Sequence, residues 1–339
     1  MSRSTAVPRA ATTPGRTVGL SAGFVQVMGA AAIGCLALAG CASGSAAGGA
    51  ASGTPTSPSG TVRVDRDFSG PIDIGNGRSM HLECSGIGSP TVLLISGTGN
   101  AGDVWREAGS ATDPTHPISE NDGAVFQTTA RSTRVCAYDR PGTQRADGSP
   151  GGSSAVAQPT STRDDAADIH ALLAAASVPG PYVLVAHSLG GLIATTYART
   201  FPDDVLGLVL VDPASQFMET TMGPAAWGQY VQAALSRAGT GAETIDPDAS
   251  NRAVESLPAL PPIPVVVLSS DQPWFILPFG VDGAMVDYSS ALLDSQTLLA
   301  TSLGATHITR TNSTHDIYIE NAPLVNQQIC TVIGHATGC

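Results

Sequence analysis

The chain has 339 residues, 42% of them apolar, which is enough to bury one large core within a single α/β domain preceded by a leader. All 16 basic residues are arginine, set against 28 acidic ones, and the formal charge of −12 leaves no basic stripe that could neutralise a phosphate backbone. Nucleic acid is excluded as a partner on that ground, while the acidic balance itself names no substrate.

Taken in chain order, Arg3, Arg9 and Arg16 come first, followed by an uncharged stretch over 17–40 that carries Phe24, Val25, Val27, Met28, Ile33, Leu36 and Leu38. Basic-then-apolar polarity is that of an export signal, so residues 1–40 are set aside from the fold. The stretch closes on Leu38-Ala39-Gly40-Cys41, which resembles the lipobox of bacterial lipoproteins, where small residues enter a peptidase and a cysteine takes up lipid. The resemblance implies cleavage before Cys41, lipidation of its thiol, and a protein lipid-anchored to the outer face of a bacterial cell membrane. An uncleaved signal anchor and a simple secreted protein are the alternatives. Cleavage removes three arginines and takes the formal charge from −12 to −15. Residues 42–60 are almost wholly Ala, Gly, Ser, Thr and Pro, which cannot bury enough apolar surface to offset their ordering entropy. They predict a flexible tether over 41–60 and a folded domain over 61–339.

From residue 61 onward, short β-branched runs alternate with helical patterns, which predicts a mostly parallel sheet covered by helices on both faces. The strands fall at 61–65, 79–84, 91–96, 134–139, 182–187, 206–211, 264–269 and 305–311; the helices fall at 163–177, 189–201, 288–303 and 321–333. Continuous apolar runs such as Thr91-Val92-Leu93-Leu94-Ile95 suit strands buried on both faces. Two stretches break the rhythm. The Gly-, Ser- and Pro-rich loop 142–162 reads as mobile, and 215–262, with an apolar helical patch over 225–235, reads as a small helical lid.

The pattern G-x-S-x-G occurs by chance in a chain this rich in Ala, Gly and Ser, and Gly19-Leu20-Ser21-Ala22-Gly23 satisfies it inside the export signal, with no strand before it. Ala186-His187-Ser188-Leu189-Gly190-Gly191 departs from the strict form at its first position but follows the strand Tyr182-Val183-Leu184-Val185-Ala186 and opens the next helix. A nucleophile held on such a turn needs small residues two before and two after it, and Ala186 and Gly190 comply. The helix start offers the Leu189 N–H to a developing oxyanion. His187 points elsewhere on such a turn and reads as structural.

With the blocks His81-Leu-Glu-Cys-Ser-Gly-Ile-Gly-Ser-Pro-Thr91, Val135-Cys-Ala-Tyr-Asp-Arg-Pro-Gly142 and Leu208-Val-Leu-Val-Asp-Pro213, the sequence resembles serine hydrolases of the α/β-hydrolase superfamily. The likeness covers about 270 of the 339 positions. It implies the α/β-hydrolase fold, with a mostly parallel eight-stranded sheet. It also implies a second oxyanion donor from the loop after the third strand, here the Thr98 N–H in Ile95-Ser96-Gly97-Thr98-Gly99-Asn100, with Ser96 where such loops usually carry His. The order Ser, acid, His places the base late in the chain and points to His315. His335 lies near the end of the last helix, His307 lies inside a strand, and His81, His116 and His170 come too early. Asp212, ending the sixth strand, and Asp271, following the seventh, both stand where the acid belongs; relatives sharing the Tyr-Asp-Arg and Val-Leu-Val-Asp blocks favour Asp212. On this fold Cys84 and Cys136 lie on neighbouring strands, and Cys330 and Cys339 are close in sequence. The expected disulfides are therefore Cys84–Cys136 and Cys330–Cys339, with four free thiols as the alternative.

Ser188 in place of an aspartate argues against dehalogenase and epoxide-hydrolase chemistry, which needs a carboxylate nucleophile. The expectation is a serine hydrolase that cleaves a small-molecule or lipid-like carboxylic ester through an acyl-enzyme. An acyltransferase or amidase using the same triad, and a non-catalytic binding lipoprotein on the same fold, are the rivals. No metal or cofactor is expected, since ligand spacings and nucleotide-binding contexts are missing from the sequence.

Overall fold

A computed structural model describes residues 66–110, 113–273 and 288–334. The leader, Cys41, the tether and the strand expected at 61–65 lie outside the described residues, as do His335 and the Cys330–Cys339 pairing through Cys339.

Eight strands form one sheet: β1 (Phe68–Gly75), β2 (Arg78–Ser85), β3 (Thr91–Ile95), β4 (Val135–Tyr138), β5 (Tyr182–His187), β6 (Val205–Val211), β7 (Val265–Leu268) and β8 (Thr306–Ile308). Their order across the sheet is β1-β2-β4-β3-β5-β6-β7-β8. β1 and β2 are antiparallel, β2 meets β4 antiparallel, and every pairing from β4 to β8 is parallel. β1 is an edge strand that sequence reasoning does not place. It tolerates Pro71 because one side of an edge strand needs no ladder partner. It turns into β2 through Asn76 and Gly77, both at positive φ (54° and 70°), which is the backbone of a tight two-residue hairpin.

Alternate residues of the central strands feed two cores. Leu93, Ile95, Leu184, Ala186, Leu208 and Leu210 pack against helices α2 (Thr162–Ala175), α3 (Leu189–Thr200) and α7 (Tyr288–Leu303). Val92, Leu94, Val183, Val185, Val209 and Val211 face α1 (Val125–Ala130), α8 (Ile317–Glu320) and α9 (Ala322–Ile333). Burial on both faces explains the unbroken apolar runs of β3, β5 and β6. The segment 215–262 contains three helices, α4 (Met218–Met222), α5 (Pro224–Leu235) and α6 (Pro247–Glu255). Met218, Met222 and Trp227 of this segment pack on Ala291 and Leu292 of α7.

The loop 142–162 is tied to the sheet rather than hanging from it. Gly152 N donates to Asp139 Oδ2 (2.8 Å), Ser153 Oγ donates to Asp139 O (2.6 Å), and Ser154 N donates to Ser79 O (2.8 Å). β2 and β4 are joined by a disulfide between Cys84 and Cys136, which face each other in register. Among the described residues no helix is long and apolar enough to cross a membrane.

Candidate active site

β5 runs buried to His187, and α3 is buried from Leu189 to Ala198; Ser188 between them is the one residue of this span that is not buried. Its backbone is left-handed, φ 52° and ψ −121°, a strained conformation for a residue with a Cβ. The strain is held from several sides. Ser188 N donates to Val211 O (3.1 Å), and Ser188 O accepts from Gly191 N (2.9 Å) and Ala214 N (2.8 Å). A Cβ on Gly190 would fall 2.5 Å from the Ile95 carbonyl, and one on Gly191 would run into Pro213, so neighbouring strands close on the turn only because these positions are bare. Leu189 N opens α3, where no intrahelical acceptor exists for it.

The loop after β3 lies against this turn: a Cβ on Gly97 would sit 2.8 Å from His187 Nδ1 and 3.2 Å from Ser188 Cβ. Ser96, standing where histidine is usual, closes the loop with a buried hydroxyl that donates to Ala101 O (2.9 Å) and accepts from Trp105 Nε1 (3.1 Å). Arg140, just beyond β4, holds the loop from beneath, donating to Ser96 O (2.8 Å) and Gly97 O (2.6 Å). Its Nε pairs with Glu243 Oε1 at 2.5 Å, and Glu243 Oε2 accepts from Gly99 N at 2.5 Å. Both side chains are almost wholly buried, at 2% and 1% exposure. Burial opposes the Arg140 charge, and the Glu243 carboxylate beside it more than offsets this, leaving the guanidinium pKa above its ordinary value. Thr98 lies between these fixed points, with its flanking backbone pinned on both sides.

Asp212 follows β6 with φ 44° and is 1% exposed. Its carboxylate accepts from four donors: His315 Nδ1 (2.6 Å), Ser270 N (2.9 Å), Ser270 Oγ (3.1 Å) and Gln296 Nε2 (3.0 Å). Asp271 is exposed, and its carboxylate instead accepts from Ser313 N (3.0 Å) in the loop that leads to His315. Of the two aspartates, the structure brings Asp212 to His315. The His315 carbonyl accepts from His187 Nε2 (3.1 Å), with ring centroids 4.5 Å apart, so the residue before Ser188 holds the backbone of the histidine. That bond puts the His187 proton on Nε2, and Nδ1 is buried without a partner among the described residues. Burial, with His315 beside it, holds the His187 pKa well below its ordinary 6.5. The remaining described histidines are elsewhere: His307 on Ser269, His170 stacked on Phe201, His116 on Asp113 and His81 near Asp139.

Thr98 and Leu189 line a cavity, open to solvent, whose apolar wall includes Leu192, Met218, Trp227, Tyr230 and Ile245. Arg140, Glu243, Ser270 and Gln296 are the contributors that sequence reasoning misses. Arg140 sits in a quoted block with no local sign of a role, and Glu243 is an isolated acid 103 residues away from it.

The family model described as alpha/beta hydrolase fold matches residues 90–260. The chain is an α/β hydrolase. This hydrolase is 32% identical over 151 residues to an uncharacterized protein of Schizosaccharomyces pombe, covering 40% of this chain and 26% of that protein. It is 27% identical over 125 residues to the uncharacterized protein YqjL of Bacillus subtilis, covering 37% and 40%. The hydrolase thus spans less than half the length of these relatives. Its fold is similar to that of Est816, described as an N-acyl homoserine lactone degrading enzyme (TM-score 0.51, 16% identity, 77% of this chain and 99% of that one). It is also similar to carboxylesterase CesB (YbfK) from Bacillus subtilis (TM-score 0.50, 16% identity, 80% and 93%). At such identities the likeness is one of fold.

Proposed function

We propose that this hydrolase cleaves carboxylic esters through an acyl-enzyme formed on Ser188. The observation that carries the reading is the 2.6 Å bond between His315 Nδ1 and Asp212, with the His315 backbone held by His187, the neighbour of a strained, solvent-reaching Ser188. A carboxylate accepting at Nδ1 keeps the proton there and leaves Nε2 with its lone pair. That nitrogen takes the Ser188 hydroxyl proton as Oγ attacks the ester carbonyl, and the N–H groups of Thr98 and Leu189 hold the oxyanion. Collapse breaks the C–O bond, and the alcohol leaves with the proton from His315. Water then gives a proton to His315 and attacks the acyl carbon, and the carboxylic acid departs as Ser188 recovers its hydrogen. A fluorophosphonate probe and p-nitrophenyl butyrate test the reading. The wild type should label and turn over, Ser188→Ala should do neither, and Ser21→Ala should match the wild type. A folded Ser188→Ala protein that retains activity overturns the assignment. We propose further, from Leu38-Ala39-Gly40-Cys41 and the composition of 42–60, that the enzyme is exported and held by lipid on Cys41.

A further inference from the structure

The wall of the cavity carries two charged side chains, Arg237 and Glu243. Glu243 is accounted for: Arg140 neutralises it, and its second oxygen accepts from the backbone of Gly99. Arg237, two residues beyond α5, is exposed, and its guanidinium has no hydrogen bond or ion pair among the described residues. Its Nη2 lies 3.7 Å from where a Cβ on Gly99 would be, so the guanidinium stands beside the residue that follows Thr98. Other polar groups of the wall have partners: Ser215 Oγ donates to Ser295 O, Thr244 Oγ1 donates to Ala242 O, and Ser250 Oγ accepts from Thr162 N. Asn251, 3% exposed on the same wall, has a side-chain nitrogen with no acceptor among the described residues. Asn251 Nδ2 lies beneath the surface, so the group open to the cavity is the Arg237 cation, in a chain whose formal charge of −12 would otherwise repel an anion.

We infer that the substrate is an ester bearing a carboxylate a few atoms from the scissile carbonyl, and that Arg237 is the specificity-determining residue that binds it. The inference rests on the ester reading and narrows it to monoesters of short dicarboxylic acids. One guanidinium suits a monoanion, and its planar fork donates two parallel N–H···O bonds to a carboxylate. The apolar wall holds the methylenes or the alcohol.

The test compares monoethyl succinate with ethyl butyrate, equal in acyl length and differing in the terminal carboxylate, by chromatographic assay of the acid released. The wild type should prefer the monoester in kcat/KM. Arg237→Gln should lower the ratio of the two kcat/KM values about tenfold, through KM, and Arg237→Glu should lower it further. Raising the salt to 0.5 M should erode the preference, because Arg237 is exposed. A structural role for Arg237 would lower both esters together and leave the ratio unmoved, and that result overturns the inference. Turnover of ethyl butyrate with no preference overturns the inference and leaves the ester reading standing. Hydrolysis of neither ethyl ester overturns the inference, and loss of p-nitrophenyl butyrate turnover as well overturns the ester reading.

Discussion

Asp212 shares its carboxylate among four donors, and one of them is an imidazole nitrogen. An amide in its place would lack the charge that stabilises the imidazolium and could hold the wrong tautomer. Asp212→Asn should therefore lower kcat on p-nitrophenyl butyrate by about 10⁴ with an unchanged circular dichroism spectrum. Asp271→Asn, which keeps an amide oxygen to accept from Ser313 N, should stay within about threefold of wild type. His187 sets a second expectation. Its folded pKa is well below 6.5 because burial and the adjacent His315 penalise the cation, so below pH 6.5 the unfolded chain binds a proton that the folded chain does not. Its contribution to stability is complete above pH 6.5 and is lost progressively as the pH falls from there toward the folded value. The slope approaches about 1.4 kcal/mol per pH unit for one proton. Urea midpoints between pH 7.5 and 5 should show the loss, and His187→Gln should flatten that part of the curve.

The turn that presents Ser188 and the loop that presents Thr98 work as one assembly, because glycine lets them touch. Gly97 is at an ordinary φ, so a methyl there is blocked by what it meets, the His187 ring, rather than by its own backbone. Gly97→Ala should displace the loop and cost about 10²-fold in kcat, the scale of one lost oxyanion donor, with only a small change in melting temperature. Much at this level is legible in the sequence. β5 and α3 follow from an apolar run that meets small residues around a serine, and both cores follow from strands apolar at every position. The acid is less legible, since Asp212 and Asp271 both end strands and only the fold brings one of them to His315. β1 is hidden by its glycine and proline, although Asn76-Gly77 after it is a strong hairpin signal. Arg140 and Glu243 leave no trace, because a contact spanning 103 residues between a loop and a lid follows no sequence period.

At the scale of the molecule, the Cys84–Cys136 bond closes a chain of 52 residues that contains β3 and the loop carrying Thr98. Chain-entropy arithmetic puts its stabilisation near 4 kcal/mol, and a Cys84→Ala, Cys136→Ala double variant should lose about 2–4 kcal/mol in urea unfolding. Cys41→Ala should accumulate as unprocessed precursor without acyl labelling; processing at residue 40, with no label on the wild type, removes the anchor from the account. Helical insertions over a hydrolase sheet are commonly regarded as interchangeable caps, to be trimmed or grafted when specificity is redesigned. Here the cap supplies Glu243, which holds both Gly99 and Arg140, so the segment that lines the cavity also braces the loop that carries Thr98. Modularity ends at that carboxylate. A chimera that exchanges 215–262 without an acid at position 243 should turn over no ester, however well its new cavity fits one, and restoring the acid alone should return probe labelling.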